Sequence, residues 1–163
     1  MPSDSSFDVV SEFDHQELLN AVDQTLREVR TRYDLKDSGA TIEHEKSELK
    51  ITAPSTMALS AVRDILQSKM VARKLSLKIL KFDEPEEAMG GTVRQRAELQ
   101  QGLNQDLARQ ISKLLRDNFP KVKTQIQGDA VRVVSKSKDE LQSVQVMLRE
   151  KDYPVPLQFV NYR

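Results

Sequence analysis

The sequence lacks cysteine and tryptophan and has only two histidines among its 163 residues. Without cysteine there can be no disulfide framework, no thiolate zinc site and no cysteine nucleophile, and this composition is typical of a reducing compartment. No apolar run approaches the roughly 18 residues that a membrane span requires, and residues 1–6 lack the apolar core of a signal peptide. We therefore expect a cytoplasmic protein without a membrane partner.

Catalytic motifs are also missing from the sequence. His15 and His44 are far apart, and neither has a metal-ligand spacing with a partner. Gly90-Gly91 lacks the further glycines or the Gly-Lys-Ser that would cradle phosphates. No order of serine, histidine and aspartate indicates a catalytic triad. We predict no catalytic residues, no metal ligands and no cofactor, and hence a protein that is not an enzyme.

The formal net charge is zero, but the charges are unevenly distributed. Residues 1–91 carry 12 Lys and Arg against 17 Asp and Glu, a net charge of −5, whereas residues 92–163 carry 13 against 8, a net charge of +5. An anionic partner should prefer the second half. Opposed charges would equally help two halves, or two subunits, to dock.

An internal repeat appears when the sequence is shifted by 82 positions. Leu49 and Ile51 then align with Val131 and Val133. The capping serines and the apolar helix positions also align: Ser55, Leu59, Val62 and Leu66 with Ser137, Leu141, Val144 and Leu148. The repeat is too long for a solenoid unit and predicts two related domains.

Hydrophobic periodicity predicts the same order of elements in each half: strand, helix, strand, strand, helix, strand. Strands are predicted over 7–13, 41–45, 48–53, 75–82, 92–99, 121–127, 130–134 and 155–159. Helices are predicted over 15–33, from Ser55 to Met70, between Gly102 and Pro120, and from Ser137 to Leu148. Gly128-Asp129 indicates a hairpin turn, and Asp83–Gly91 a mobile acidic loop. This order predicts the α+β class: two ferredoxin-like domains, each a four-stranded antiparallel sheet with both helices on one face.

Candidate ligand residues cluster in the basic second half. If the apolar residues of the hairpin face the helices, a polar set lines the opposite, open sheet face and continues into the next turn: Lys121, Lys123, Gln125, Gln127, Arg132, Lys136 and Lys138. Such a set can pair with phosphates and offer amides to base edges, although a merely solvated hairpin shows the same pattern. Arg94 and Arg96 form a second cluster.

Aromatic residues are too few on the predicted open face for a stacking-based RNA reader. The closely spaced aromatics of the RNP consensus are absent, and Tyr162 is the only ring predicted to point outward. This argues against sequence-specific recognition of single-stranded RNA by stacking.

Motifs spread over nearly the whole chain resemble the YajQ family of bacterial nucleotide-binding proteins. They are Phe-Asp-Val-Val-Ser-Glu (7–12), Gly-Gly-Thr-Val-Arg-Gln (90–95), Gln-Ile-Gln-Gly-Asp-x-Val-Arg-Val (125–133), Lys-Asp-Glu-Leu-Gln (138–142) and Pro-Leu-Gln-Phe-x-Asn-Tyr-Arg (156–163). The resemblance implies two ferredoxin-like domains whose first strands are exchanged. One domain would then comprise 14–99, with strand 92–99 contributed by exchange, and the other 1–13 with 100–163. The residues alone favour plain tandem domains.

The resemblance also implies a function. Members of the family are described as binding nucleotides and RNA without catalysis, and some as binding cyclic di-GMP and acting on transcription. It therefore implies a nucleotide or RNA ligand, a guanine cyclic dinucleotide included, and a transcription regulator as a further partner. Where many members show Lys-Gly after the first helix, this chain has Asp37-Ser38-Gly39, which weakens any ligand contact near Lys36. The alternative is a protein–protein adaptor whose open sheet faces mediate homo-oligomer or partner assembly.

Overall fold

The computed structural model describes residues 4–163, which contain nine strands and four α-helices. In chain order these elements are β1 (Ser5–Val10), α1 (His15–Thr31), β2 (Thr41–His44), β3 (Glu48–Ala53), α2 (Thr56–Ala72), β4 (Leu80–Phe82), β5 (Glu86–Glu87), β6 (Val93–Leu99), α3 (Gln105–Asn118), β7 (Lys123–Gln127), β8 (Ala130–Ser135), α4 (Lys138–Glu150) and β9 (Gln158–Val160). The chain divides into two compact units. The central unit is Phe13–Gln100, and the split unit comprises the residues up to Glu12 together with Gln101–Arg163.

The central unit has an antiparallel sheet in the order β2-β3-β6-β4, with β5 paired to part of β6. Alternation along β3 and β6 sends Leu49, Ile51 and Ala97 to one face, where they are fully or almost fully buried. Apolar side chains of α1 and α2 join them in a single core cluster. Both helices therefore cover the same face of this sheet.

The split unit has an antiparallel sheet in the order β7-β8-β1-β9. β1 lies in its interior, with Phe7 opposite Val133 and Val9 opposite both Val131 and Phe159. Phe7 and Val9 are fully buried in a core that α3 and α4 complete. The first strand of the sequence is thus central to a sheet whose other strands lie after residue 120. The fold is therefore mixed, with four helices and two antiparallel sheets, and is compatible with two α+β domains.

The segments related by the 82-residue offset occupy equivalent places in the two units. Ser55 and Ser137 are the N-cap residues of α2 and α4, and each side-chain oxygen accepts a backbone N–H three residues on. All the aligned apolar residues are at most 7% exposed: Leu49, Ile51, Leu59, Val62, Leu66, Val131, Val133, Leu141, Val144 and Leu148. The repeat thus marks one strand–helix segment built twice.

Three predicted strands differ from the structure by three or more residues at one end. β1 ends at Val10 rather than residue 13, and Phe13 packs against the core of the central unit. Residues 75–79 alternate in sequence, but a 3-10 turn over Leu77–Ile79 leaves only three residues for β4 and leaves Leu77 43% exposed. β9 begins at Gln158, after both prolines. Each difference lies where the chain enters or leaves a sheet.

The acidic segment 83–91 forms a hairpin with β6 rather than the expected unstructured loop. Glu86 and Glu87 pair with Arg94 and Val93, and the backbone N–H of Ala88 donates to the carbonyl of Thr92 at 2.8 Å. Gly90 and Gly91 both have φ +76°, which a glycine adopts at little cost. The Gly-Gly pair therefore makes the turn.

A β-bulge after β9 changes the face of the sheet to which the following side chains point. Asp8 lies opposite Val160, yet Ser6 exchanges both backbone hydrogen bonds with Arg163, at 3.1 and 3.0 Å. Two residues, Asn161 and Tyr162, therefore face Phe7 where a regular ladder would have one. Asn161 takes the left-handed conformation, with φ 56°, which asparagine tolerates better than most residues.

The bulge overturns the expected orientation of Tyr162. Its ring does not lie on the open sheet face; it lies 6.2 Å from the buried ring of Phe7, and its hydroxyl accepts a hydrogen bond from Nε2 of Gln145 on α4 at 3.2 Å. One extra residue in the ladder moves every later side chain to the other face. Tyr162 therefore stands beside α4, 64% exposed.

None of the helices found within residues 4–163 has the length and apolar character that crossing a membrane requires.

Candidate functional site

Three of the predicted ligand residues line one concave site in the split unit. Lys121, Lys123 and Lys136 line a cleft of about 290 Å³ together with Ser137 at the start of α4. We call it the lysine cleft. Its volume is at the lower end of the range for small-molecule sites. The remaining wall comes from Asp4, Val134, Ser135 and Glu140.

The two lysines of the hairpin are positioned by the residues around them. Pro120 cannot continue α3, so the chain turns there and enters β7 at Lys123. Val122 is 4% exposed, and its N–H donates to the carbonyl of Phe119 at 3.0 Å. Because the side chain of Val122 is buried in the core, those of its two neighbours, Lys121 and Lys123, point away from the core.

Lys136 lies on a turn that is fixed by serine hydrogen bonds. The hydroxyl of Ser135 donates to Oε1 of Glu140 at 2.9 Å and accepts the N–H of Ser137 at 3.0 Å. The hydroxyl of Ser137 accepts the N–H of Glu140 at 3.2 Å. The side chains of Ser135 and Ser137 thus hold the turn on both sides of Lys136, and the positive end of the α4 dipole faces the same region.

The lysine cleft is suited to an anion, with a limited excess of positive charge. None of Lys121, Lys123 and Lys136 makes an ion pair with another described residue. Asp4 and Glu140 also line the cleft, but Glu140 is already bonded to Ser135. Ammonium groups without partners, serine hydroxyls and a helix N-terminus are the donors that bind phosphate oxygens.

The other four predicted residues of the hairpin and the turn after it do not line the lysine cleft. Gln125 and Gln127 lie further along β7, where the Nε2 of Gln127 donates to Oε1 of Gln125 at 3.3 Å. Lys138 lines a separate cavity of the same unit. Arg132 is engaged by Asp8, whose Oδ1 lies 2.9 Å from its Nε. The structure thus brings together three of the seven residues.

Arg94 and Arg96 lie on the open face of the central unit's sheet, within a ladder of mixed charge. Nε of Arg96 is 2.6 Å from Oε2 of Glu48 and 3.9 Å from Oδ2 of Asp83. The hydrogen bond from Arg96 to Glu48 raises the pKa of the arginine above its ordinary value. Arg94 lies opposite Thr52 and Glu86. Acidic neighbours in this ladder therefore compete with any phosphate for Arg96.

The described residues contain no group of three or more His, Cys, Asp or Glu side chains that could hold a metal ion. The ring of His15 lies 4.3 Å from that of Phe13, and His44 ends β2 at an exposed position. The two histidines thus lie on separate elements of the central unit and do not form a joint site.

Sequence reasoning missed Ser135, Asp4 and the cavity beside Tyr162. A signal for Ser135 was present, because Ser-x-Ser-x-x-Glu over 135–140 contains both a capping box and a second serine. The cavity depends on the bulge at Asn161, for which asparagine alone is a weak signal.

Two antiparallel sheets, each covered by helices, and a cleft lined by three lysines define a small α+β protein suited to binding an anionic ligand. A family model described as nucleotide-binding protein YajQ-like matches residues 5–163. The chain belongs to this family. A protein of Chloroflexus aggregans named nucleotide-binding protein is 58% identical over 165 residues. Proteins of the same name from a Synechococcus species and Trichodesmium erythraeum are 57% and 53% identical over 163 residues. Each alignment covers all of both chains.

Proposed function

We propose that the protein binds RNA, a guanine nucleotide or a guanine cyclic dinucleotide by placing a phosphate in the lysine cleft, and that it does so without catalysis. The convergence of Lys121, Lys123 and Lys136, unpaired among the described residues, on one cleft carries this proposal. The relatives, named nucleotide-binding proteins, support the ligand class. A role in gene regulation, with a transcription regulator as partner, rests on the family resemblance alone.

Neutralising the two hairpin lysines tests the proposal. We expect Lys121→Gln with Lys123→Gln to weaken binding of a short single-stranded RNA and of cyclic di-GMP. For RNA, the magnitude of the slope of log affinity against log salt should fall by about 1.4, because each phosphate contact to a single strand contributes about 0.7 to that slope. Fluorescence anisotropy of a labelled RNA at several salt concentrations measures this slope.

The matched control is Arg109→Gln with Lys113→Gln. Both residues are exposed on α3 of the same unit and do not line the cleft, so the control removes the same charge from another surface. If the control weakens RNA binding as much as the cleft variant does, the attraction is a general charge effect and the cleft proposal is wrong. Circular dichroism confirms that both variants are folded.

An adaptor that assembles into homo-oligomers through its sheet faces is the second candidate. The observation in its favour is the mixed-charge face of the central unit, where acidic and basic side chains alternate in a way that a second copy can complement. Analytical ultracentrifugation across a range of salt concentrations tests it. We then expect a dimer that dissociates as salt rises; a monomer at high micromolar concentration in low salt would exclude it.

A further inference from the structure

A second cavity adjoins the lysine cleft at the first turn of α4. It has a volume of about 480 Å³ and is lined by side chains of β1, α4 and the bulge after β9: Phe7, Lys138, Gln142, Gln145, Tyr162 and Arg163. Ser137 lines the lysine cleft, and the next residue, Lys138, lines this cavity. Likewise, Asp4 lines the lysine cleft and the next residue, Ser5, lines this cavity. We call it the tyrosine cavity.

The ring of Tyr162 forms an aromatic platform in this cavity. One side is supported by Phe7 at 6.2 Å with an interplanar angle of 34°, and the hydroxyl is fixed by Gln145. With 64% of the residue exposed, the ring retains surface for a second planar group. A ring held on one side and exposed on the other is the arrangement that stacks with bases.

The polar groups around the platform match the edge of a base. Gln145 uses its Nε2 on Tyr162, which leaves its carbonyl oxygen without a partner among the described residues. Gln142, one turn earlier on α4, adds an exposed amide. An amide can donate to and accept from the hydrogen-bonding edge of a base, and Lys138 and Arg163 add positive charge.

We infer that the tyrosine cavity is a nucleobase subsite, in which a purine stacks on Tyr162 while its ribose phosphate reaches the lysine cleft. This inference rests on the proposed function, because it needs a phosphate in that cleft. It adds that the ligand is recognised by its base as well as by its phosphate. A purine is favoured over a pyrimidine because it offers the larger stacking surface.

The absence of tryptophan from the sequence provides a direct test. In Tyr162→Trp the only indole sits on the platform, so a base that stacks there should quench its fluorescence. We expect GMP and AMP to quench it and ribose 5-phosphate, which has no base, to leave it unchanged. Tyr33→Trp is the control, since Tyr33 is 90% exposed in the central unit; GMP should not change its emission.

Affinity measurements separate this inference from the proposed function. Tyr162→Leu should weaken GMP binding roughly 5- to 150-fold, the range for loss of one stacked base, and leave ribose 5-phosphate binding unchanged. Tyr162→Phe should retain GMP affinity within about twofold, since the ring supplies the stacking. Isothermal titration calorimetry on the full chain measures both ligands.

Each outcome bears on one of the two proposals. If GMP and ribose 5-phosphate bind equally to the parent and GMP does not quench the indole fluorescence of Tyr162→Trp, the base subsite is wrong while the phosphate site stands. If neither ligand binds at millimolar concentration, the base subsite is wrong, and the RNA and cyclic di-GMP measurements decide separately whether the lysine cleft binds phosphate. Equal losses of both ligands in Tyr162→Leu would show that Tyr162 only supports the fold, which also overturns the subsite.

Discussion

Asp8 is a carboxylate in the interior of a sheet, and its neighbours explain why it is tolerated there. It is 6% exposed, and it accepts hydrogen bonds from Nε of Arg132 at 2.9 Å and from Nδ2 of Asn161 at 2.8 Å. The hydrogen bond from Arg132 is the main reason why the pKa of Asp8 lies below its ordinary value; burial opposes this shift, and Asn161 supports it. Asp8 thereby joins β8 and the bulge after β9 to β1.

The lowered pKa makes a prediction about acid stability. A carboxylate whose pKa is lower in the folded than in the unfolded state stabilises the fold at pH values above the unfolded pKa, and this contribution is lost as the pH falls through the folded value. We expect Asp8→Asn to lower the free energy of unfolding at pH 7. The difference from the parent should begin to shrink below about pH 4, the ordinary pKa that Asp8 has in the unfolded state. It should disappear once the pH has fallen through the lowered pKa of Asp8 in the folded state.

Urea denaturation at steps between pH 7 and pH 2 measures this difference. The control is Asp23→Asn, because Asp23 makes an exposed i,i+4 ion pair with Arg27 on α1, and such a pair contributes little to stability. A gap between Asp8→Asn and its parent that stays constant down to pH 2 would show that Asp8 acts through packing rather than through its charge.

Arg132 shows why single-residue roles were hard to predict. The alternation of the hairpin correctly placed it on the same face as Gln125, its cross-strand neighbour. Its partner, Asp8, is 124 residues away in sequence. No local sequence pattern specifies that pairing. The sequence therefore predicted Arg132 to be available to a phosphate, whereas in the structure it is bonded to Asp8 within the sheet.

At the scale of elements, two glycines control the β7–β8 hairpin in different ways. Gly128 has φ +59° at the first position of the two-residue turn, and a Cβ there would meet nothing within 4 Å. Gly102 has φ +82° and lies against the turn from outside, so its Cβ would lie 2.7 Å from Oδ2 and 3.1 Å from Cβ of Asp129. Gly102 also donates its N–H to the carbonyl of Ser11 at 2.6 Å.

We therefore predict unequal costs for the same substitution. Gly128→Ala should lose about 1–2 kcal/mol, the cost of a left-handed conformation for an L-residue. Gly102→Ala should lose more, because it adds a steric clash with Asp129 to the same backbone cost. Chemical denaturation of both variants compares the two losses. An equal loss would mean that Asp129 moves aside freely, and a turn that adjusts so easily would not fix the hairpin.

The elements that the sequence predicted best are those specified by local signals. β3 and the start of α2 match their predicted bounds, because alternation, Pro54-Ser55 and the helical spacing of apolar residues all agree. The shorter strands β4, β5 and β9 depend on pairing with β6 or β1. A strand of two or three residues is too short to show an alternating pattern. Its bounds are set by the strand with which it pairs.

At the scale of the molecule, β1 belongs to the unit that holds the end of the sequence. It pairs with β8 and β9, and β6 pairs with β3 and β4. Alternation predicted these strands but not their partners, and the resemblance supplied the expected pairing. That two tandem domains exchanged their first strands stays a prediction. Of the candidate site, the sequence predicted the three lysines. It did not predict the concave shape, because that shape depends on how the turn at Lys136 and the start of α4 pack together.

Two core substitutions test the independence of the units. We expect Phe7→Ala, which truncates a fully buried ring, to cost about 3–5 kcal/mol and to lower hydrogen-exchange protection in β7, β8 and β9. Protection in β3 and β6 should persist. Leu49→Ala, also fully buried but in the central unit, should cost about 2–5 kcal/mol and give the reverse pattern.

Hydrogen exchange followed by mass spectrometry reads both patterns in the full chain. Loss of protection in the strands of both units after Phe7→Ala alone would show that the two cores unfold as one cooperative body. Plain tandem domains, with β1 in the same core as α1, predict that Phe7→Ala affects β2 and β3 instead.

The split unit comes from both ends of the sequence and the central unit from the residues between them. This order has a consequence during protein synthesis. Asp8 leaves the ribosome 124 residues before Arg132, a delay of roughly 6–25 s at ordinary elongation rates. The whole of Phe13–Gln100 emerges during that delay, so we expect the central unit to fold first. During the same time β1, which carries Phe7 and Val9, cannot pair because β8 and β9 have not yet been synthesised. An unpaired apolar strand is a hazard for aggregation in a nascent chain. We expect the charge of Asp8 near the centre of this strand to oppose its association with other chains until Arg132 is synthesised and the sheet of the split unit forms.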